Sequence, residues 1–360
     1  MPQTEIIHLR PLGWENDPEH EYQNVHLLDY CVAEVYTNYA LIFKDPKTDD
    51  LPAHRKRVVE SFRKGLELTL SQLRNQCGVL EETPEGIVRF HKRKEDTVEF
   101  HVQYLDGPED EGKYPSFEDL EAKHFSTAVM GNLDTWSIPS MTYGERPEAT
   151  IAVSPKVAAF KLSFIRGGMV FVMINHHKSN DILGWAGSMH QIADNCAAYW
   201  KSYPETPKEF PPWDPYWLTV DELTRPIPEK LVEVPPAIVK HTEHVPAEWV
   251  VFHLPKSKAA ELKKLAAPTE GDIWISTLDA AMAYIWRYLS KHRAKIFKPD
   301  LSDTRVWGEA VNMRSRLKPK LNPRSQGNIL AVQLSHQLPS IPQPTLGEVI
   351  SEAPLEKLAL

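Results

Sequence analysis

The feature that most constrains the fold of this chain is a proline-rich stretch in its middle. Ten prolines lie between residues 203 and 246. Each proline fixes its own φ angle and removes a backbone N–H donor, so this density prevents long helices and is typical of an extended connection. We therefore expect two lobes, residues 1–200 and 247–360, joined by a Pro-rich crossover over 201–246.

The first lobe has patterns typical of both helices and strands. Apolar residues recur at helical spacing over 56–76, and Gly78 is a plausible C-cap. Two apolar runs, 161–165 and 169–174, flank a Gly-Gly pair, which predicts a β-hairpin. A second helix is predicted over 181–200. Together these elements indicate a lobe that contains both strands and helices.

The second lobe shows the same alternation of elements. A strand is predicted over 249–254, a short helix around 256–266 and another strand over 306–311. Ser276 and Asp279 match a capping box at the start of a fourth predicted helix. The residues of this helix expected to face inward are Leu278, Met282, Ile285, Trp286 and Leu289.

Composition excludes several classes of protein. Hydrophobic residues make up 42% and charged residues 25%, as in an ordinary globular chain. A net charge of -8 argues against nucleic acid as a partner, because phosphate binding needs a basic face. No apolar run is long enough to span a membrane, and three widely spaced cysteines predict no disulfide framework. We expect a cytoplasmic protein that binds no membrane.

A histidine pair follows the apolar run 169–174 and precedes the predicted helix. His176, His177 and Asp181 form the pattern H-H-x-x-x-D at a predicted strand end. A histidine held there can act as a base near pH 7. The bare pattern H-x-x-x-D arises easily by chance, and it occurs again at 190–194 inside the predicted helix, where we expect a helix-surface contact.

The residues alone leave three interpretations of His177 open. It could be a catalytic base, a structural histidine of the core, or a metal ligand together with His176 and Asp181. Adjacent strand residues point to opposite faces of a sheet, so His176 and His177 are not expected to bind one ion. One histidine of the pair should face a site while the other faces away.

The order of the motifs along the chain resembles the BAHD family of acyl-CoA-dependent acyltransferases, and more closely its fungal members that acylate secondary metabolites. The resemblance runs from about residue 25 to about residue 335. It rests on the H-H-x-x-x-D motif, the Pro-rich crossover and four further segments. These are Leu27-Leu28-Asp29, residues 276–287, residues 311–321 and Gly327-Asn328.

The resemblance implies a two-lobed, chloramphenicol acetyltransferase-like α/β fold with mixed sheets and flanking helices. It also implies direct acyl transfer in a ternary complex. His177 would act as general base, and an acyl group, by expectation acetyl, would pass from acyl-CoA to a hydroxyl or amine of a small secondary metabolite. Acyl-CoA would be a co-substrate, with no permanently bound cofactor and no metal. A monomer is expected.

The resemblance also implies roles for residues around His177. Asp181 is expected to pair with Arg314 across the junction of the two lobes and to hold the histidine-bearing loop, while Asn312 fills a position where the family has Asp. This assignment makes Asp181 an orienting residue with a structural role and Arg314 its support. Changes at either residue are expected to lower activity mostly through misplacement of His177 or through lower stability.

Four residues correspond to family positions near CoA: Ser276, Thr277, Arg316 and Asn328. Each also has a plainer interpretation. Ser276 and Thr277 could simply cap a helix, and the helix N-terminus would favour phosphate in either case. Arg316, like Lys318, could be a solvated surface charge, and Asn328 could belong to a turn.

Two departures from the family pattern are visible. Ile182 follows the motif Asp where the family has Gly, and Gly184 comes two residues later. The late Asp-Phe-Gly-Trp-Gly stretch of the family does not occur, so we expect a C-terminally shortened second lobe. Two alternatives therefore stand beside an active acyltransferase: a condensation-type domain, which shares H-H-x-x-x-D, and a truncated, inactive remnant.

Overall fold

The computed structural model divides into two units. It describes residues 3–144, 146–215, 253–269, 274–335 and 342–359. The first unit contains the described residues up to 215 together with Met313–Ile329, and the second contains the remainder. The segment Met313–Ile329 was expected in the second lobe, and the structure places it in the first unit instead. Residues 216–246 of the predicted crossover and 249–252 of the predicted strand lie outside the described residues.

The first unit is built from eight strands and three helices in the part of the chain that the structure describes. The strands are β1 (Thr4–Leu9), β2 (His20–Asn24), β3 (Tyr36–Lys44), β4 (Val79–Glu82), β5 (Val88–Arg93), β6 (Val98–Tyr104), β7 (Ala158–Ile165) and β8 (Gly168–His176). The helices are α1 (Leu51–Gln72), α2 (Phe117–Ala122) and α3 (Ile182–Ser202). Short 3-10 helices connect several of these elements.

A five-stranded mixed sheet forms the centre of the first unit. Its order is β1-β6-β7-β8-β3, with β6 and β7 parallel and the other pairs antiparallel. A smaller antiparallel sheet has the order β2-β5-β4. Strands β7 and β8 pair with Ile165 opposite Gly168, so the predicted hairpin is confirmed, with a two-residue turn and Gly167 at φ 75°.

Strand β8 is buried on both faces, which explains its continuous apolar sequence. Phe171 and Met173 pack into the core with residues of α1 and α3, while Val170 and Val172 belong to a second cluster. Strand β8 is thus held by core packing along its length, up to the histidine pair at its end. A strand held on both faces delivers the next residues to a defined place.

Helices α1 and α3 pack against each other beside this sheet. The predicted helix over 56–76 begins earlier, after Asp50, whose Oδ1 accepts a hydrogen bond of 2.9 Å from the N–H of Ala53. Gly78 follows a separate 3-10 helix, so it does not cap α1. Gly65 allows the close approach of the two helices, because a side chain there would clash with Cys196.

The second unit combines a two-stranded antiparallel ribbon with four described helices. They are β9 (Gly308–Asn312), β10 (Leu330–Leu334), α4 (Lys256–Leu265), α5 (Thr277–Phe297), α6 (Leu346–Ile350) and α7 (Glu356–Ala359). The predicted capping box is confirmed, since Ser276 and Asp279 bond to each other's backbone N–H at 3.1 and 2.6 Å. Among the described residues of both units, no helix is both long and apolar enough for a membrane span.

The inward face of α5 differs from the prediction. Leu278, Ile285 and Leu289 are 56%, 37% and 49% exposed, so the prediction was wrong for these three, whereas Trp286 is buried. The buried stripe also includes Ala280, Ala283 and Arg287. Two alanines allow close packing on that side, and the Arg287 guanidinium donates to the backbone carbonyls of Val349 and Ala353. The spacing of hydrophobic residues alone did not show which face of α5 these contacts bury.

Candidate active site

The histidine pair lies on a tight turn between β8 and α3. Strand β8 ends at His176, a 3-10 turn covers His177–Ser179, and α3 begins at Ile182. Ser179 Oγ donates to the His176 carbonyl at 2.6 Å, and the N–H of His177 donates to the Val35 carbonyl at 2.9 Å. The turn is therefore held by its own side chains and by the segment that enters β3.

The His177 ring is half-buried and has one nitrogen engaged. Its Nδ1 lies 3.2 Å from the carbonyl oxygen of Asn180. A carbonyl oxygen only accepts, so Nδ1 carries the proton in the neutral ring and Nε2 keeps a lone pair. The indole of Trp185 lies 5.9 Å away between ring centroids. This arrangement leaves Nε2 as the basic atom.

His176 has the opposite environment. It is fully buried, its Nε2 lies 2.8 Å from the Ala149 carbonyl, and its Nδ1 accepts from the N–H of Lys178 at 3.2 Å. Burial lowers the pKa of His176 to about 4, so its ring is neutral near pH 7. With both nitrogens occupied, His176 has no lone pair left for a metal shared with His177.

Asp181 is saturated with hydrogen bonds. Its Oδ1 accepts from the N–H groups of Leu183 and Gly184 at 3.0 and 2.8 Å, which caps α3. Its Oδ2 accepts from Arg314 Nη1 and from the N–H of Ile329, both at 2.9 Å. Four donors around a buried carboxylate make Asp181 an anchor of the turn.

Arg314 reaches Asp181 from within the same unit. The residue is 1% exposed, and its Nε and Nη2 donate to the carbonyls of Ser325 and Gly327, both at 3.0 Å. The structure therefore contains the expected Asp–Arg contact, but not across the two lobes. These buried bonds explain why the loop between β9 and β10 belongs to the first unit.

Gly184, one turn into α3, explains how Ile182 is tolerated after the motif Asp. Ile182 is 59% exposed, while a side chain at Gly184 would clash with the amide of Asn180 and crowd Arg314. The position that needs glycine in this chain is thus Gly184. The departure from the family pattern at Ile182 falls on the surface.

Two buried amides at this turn were missed from the sequence. Asn180 donates to Gln326 Oε1 at 2.8 Å and accepts from the N–H of Gly327 at 2.6 Å. Gln326 in turn donates to the Gly184 carbonyl at 2.9 Å and accepts from Ser188 Oγ at 2.7 Å. The only sequence signal was their adjacency to motif residues, Asn180 before the Asp and Gln326 before Gly-Asn.

Asn328 belongs to the same network. It is fully buried, its N–H and Nδ2 donate to Asp29 Oδ1 at 3.0 and 2.8 Å, and Nδ2 also donates to the carbonyl of His177 at 2.9 Å. Asp29 Oδ2 accepts from the N–H of His26 at 2.9 Å. Burial raises the pKa of Asp29, against the opposing effects of His26 and Asn328. The structure thus brings Asn328 together with His177.

The other residues expected near CoA make no hydrogen bond in this network among the described residues. Ser276 and Thr277 are in the second unit, where Ser276 caps α5 and Thr277 is exposed. Arg316 is exposed on the loop of the first unit, and its backbone N–H donates to the Met313 carbonyl at 2.8 Å. Among the predicted site residues, the structure therefore gathers His177, Asp181, Arg314 and Asn328 at one turn.

The second H-x-x-x-D pattern lies on the surface of α3. His190 is exposed, and Asp194 is half-buried. Asp194 Oδ2 accepts from Arg324 Nη1 at 2.8 Å. This copy of the pattern is a helix-surface segment with an ion pair.

Comparison with known proteins decides the family. A model of the trichothecene 3-O-acetyltransferase-like N-terminal domain matches residues 35–196, and the Transferase family model matches residues 138–352. This protein belongs to the Transferase family. The resemblance to BAHD acyltransferases and the predicted enzyme class, acyltransferase, are thereby confirmed.

Members of the family from fungi are similar over long stretches. Acetyltransferase FGR3 of Gibberella zeae is 46% identical over 362 aligned residues, which cover all of this chain and 70% of FGR3. A trichothecene 3-O-acetyltransferase of Saccharomyces cerevisiae is 24% identical, and the match covers 79% of this chain and 60% of the yeast protein. The chain therefore spans 60% to 70% of the length of these two relatives.

A solved structure shows the same fold. The crystal structure of F. graminearum TRI101 complexed with Coenzyme A and T-2 mycotoxin superposes with a TM-score of 0.66 at 20% sequence identity. The match covers 99% of this chain and 73% of TRI101. The predicted α/β acyltransferase fold is confirmed.

Proposed function

We propose that this protein transfers an acetyl group from acetyl-CoA to a hydroxyl or amine of a small secondary metabolite, with His177 as the general base. The observation that carries this proposal is the geometry of His177. The Asn180 carbonyl holds Nδ1, so the basic Nε2 remains for an acceptor group. His177 stands on a turn fixed by the buried pair of Asp181 and Arg314.

The proposed reaction is a direct transfer. As the acceptor oxygen or nitrogen attacks the thioester carbonyl, Nε2 of His177 takes its proton. A C–O or C–N bond forms, the C–S bond breaks, and the CoA thiolate leaves with the electron pair. The imidazolium of His177 then returns the proton to the thiolate. General-base action of this kind contributes about 10²–10⁴-fold.

The names and ligands of the similar proteins support the substrate assignment. FGR3 is named an acetyltransferase, and TRI101 has been crystallised with Coenzyme A together with T-2 mycotoxin or deoxynivalenol. We infer that acyl-CoA is a co-substrate of this chain and that a trichothecene-like alcohol is the first acceptor to test. We further propose that this enzyme is monomeric and cytoplasmic and has no resident metal.

Three residues are proposed to contact CoA. Arg316 offers an exposed positive charge to the phosphates, while Ser276 and Thr277 stand at the N-terminus of α5, where the helix dipole favours anions. Asn328 was expected in this group. Because it is fully buried and bonded to Asp29 and His177, we propose a structural role for it instead.

Asp181 is proposed to orient the turn without taking part in proton transfer. Both of its oxygens are occupied by hydrogen-bond donors, and one of those donors is the guanidinium of Arg314. A carboxylate in this state has no position from which to receive the acceptor proton. Its role is to fix where α3 begins and therefore where His177 stands.

The test is to incubate the purified protein with acetyl-CoA and a trichothecene alcohol, and to measure CoA release and the acetylated product by mass spectrometry. Direct transfer predicts product only with both substrates and no mass increase of the protein without acceptor. A stable acetyl-protein would overturn the direct mechanism. Product formed only from a carrier-bound thioester would favour the condensation-type alternative, and a folded protein without turnover would favour the inactive remnant.

A further inference from the structure

The backbone of His177 is held at both of its polar groups. Its N–H donates to the Val35 carbonyl at 2.9 Å, and its carbonyl accepts from Asn328 Nδ2 at 2.9 Å. With Nδ1 bonded to Asn180 of the same turn, three hydrogen bonds fix this one residue, two of them from distant parts of the chain. Proposed catalysis uses only Nε2, so these other contacts require a separate explanation.

Asn328 is itself held by a buried carboxylate from the N-terminal part of the chain. Asp29 is 1% exposed, and its Oδ1 accepts both the N–H and the Nδ2 of Asn328. The two residues lie 299 positions apart in sequence. A charge buried this far is costly unless it is well bonded, and Asp29 places two of its three side-chain hydrogen bonds on Asn328.

The same N-terminal segment holds the residue after His177. Lys178 Nζ donates to the backbone carbonyls of Asp29 and Val32 at 3.4 and 3.3 Å, and its side chain is buried. Residues 29–35 therefore contact the backbone or side chain of His177 and Lys178 directly, and reach His177 again through Asn328.

We propose that Asp29 and Asn328 act as positioning residues that set the orientation of His177 for proton transfer. This inference rests on the proposed function, because it assigns the two residues to the base of that reaction. The Asn328 amide has two protons, and they bond Asp29 and the His177 carbonyl together. Neither Asp nor Ala at position 328 could make both bonds.

The expected consequence is a change in rate with little change in binding. A reacting group displaced by about 1 Å can lose about 100-fold in rate. Neither Asp29 nor Asn328 is proposed to touch CoA. Removing their bonds should therefore lower kcat and leave the KM for acetyl-CoA unchanged. A smaller folded fraction would also lower the apparent kcat at constant KM, so each rate is divided by the folded fraction that circular dichroism gives.

The experiment compares Asn328→Ala and Asp29→Asn with the control Asn195→Ala. Asn195 is also fully buried, and its amide donates to Thr69 and Gln72 in α1, but among the described residues its side chain makes no hydrogen bond to the turn of His177. For each variant, kcat and KM are measured at a temperature where circular dichroism shows it folded. Hydrogen–deuterium exchange of the peptide 176–181 gives a second readout that needs no turnover.

We expect Asn328→Ala to lower kcat by about 100-fold and Asp29→Asn to lower it less. The double variant should fall no further than Asn328→Ala, because both changes break one chain of bonds. Exchange at 176–181 should accelerate in both variants and not in Asn195→Ala. If Asn328→Ala keeps kcat within about two-fold of wild type and exchange at 176–181 is unchanged, the inference is overturned.

Parallel measurements separate this inference from the proposed function. If wild type is active and His177→Ala is equally active, the proposed base is wrong, whatever Asn328→Ala and Asp29→Asn show. If wild type shows no turnover, the exchange data still decide whether Asp29 and Asn328 hold the turn. Unchanged exchange in both variants would reject the positioning role without reference to activity.

Discussion

The pattern H-x-x-x-D occurs twice on one stretch of chain, at 177–181 and at 190–194. The two copies share the spacing of their residues and differ in their surroundings. His177 and Asp181 bracket a turn between a strand buried on both faces and a helix N-terminus. His190 and Asp194 lie within that helix, on its outer surface. The spacing is shared, so the difference must come from the partners that surround each copy.

The partners of the two aspartates show this most clearly. Asp181 is 5% exposed and accepts four hydrogen bonds, one of them from a fully buried arginine. The side chain of Asp194 is 46% exposed, and its partner Arg324 is 35% exposed. A motif of this kind becomes a site when a strand end and a buried network fix the histidine, and it remains a surface ion pair when they do not.

The largest expected difference between the copies is catalytic. His177→Ala should lower acetyl transfer by about 10²–10⁴-fold, because it removes the proposed general base. His190→Ala should leave the rate near that of wild type, since the ring is exposed on the surface of α3. CoA release measured for both variants under the same conditions checks this. An equal loss of acetyl transfer in both variants would mean that the structural surroundings do not distinguish the two histidines.

The next difference is in stability. Arg314→Ala removes a buried partner of Asp181 and leaves its carboxylate uncompensated, which typically costs about 3–5 kcal/mol. Arg324→Ala breaks a partly exposed ion pair with Asp194, which typically costs about 0–1 kcal/mol. Urea-induced unfolding of the two variants measures the contrast. Similar losses would show that the Asp181 pair is no more important than the surface pair.

A smaller effect concerns pH. Burial lowers the folded-state pKa of His176 to about 4, from an ordinary value of 6.5. As the pH falls, His176 is therefore protonated at a higher pH in the unfolded chain than in the folded protein. The free energy of unfolding should fall by about 3 kcal/mol as pH drops from about 6.5 to about 4. Above pH 6.5 this contribution is fully present. Unfolding measured at several pH values should show a weaker dependence in His176→Asn, whereas His190→Asn should keep the wild-type dependence.

Elements with a local pattern were predictable from the sequence. The two-residue hairpin of β7 and β8, the start of α3 after Asp181 and the capping box of Ser276 all follow from residues within a few positions of one another. Turn, cap and strand propensities act over such distances. Local chemistry therefore decided these features before any tertiary contact was known.

What the sequence could not show depends on long-range contacts. Met313–Ile329 belongs to the first unit because Arg314 bonds Asp181, 133 positions away. Asp29 and Asn328, which are farther apart still, meet only when the fold brings them together. No periodicity records such pairs. The resemblance implied the pair of Asp181 and Arg314, but the bonds that Asp29, Asn180 and Gln326 make around His177 were found only in the structure. The proposed base itself was predictable because a strand pattern pointed to it.

The role of Asp181 is the central claim of this comparison, and the variant Asp181→Asn tests it most directly. Its amide keeps an oxygen for the helix cap but places an N–H2 group against the donors Arg314 and Ile329. Kinetics and the melting temperature should be measured on the same preparations. We predict that kcat and melting temperature fall together, as for a residue that positions His177. Complete loss of activity with an unchanged fold and melting temperature would contradict this account and assign Asp181 a direct chemical role.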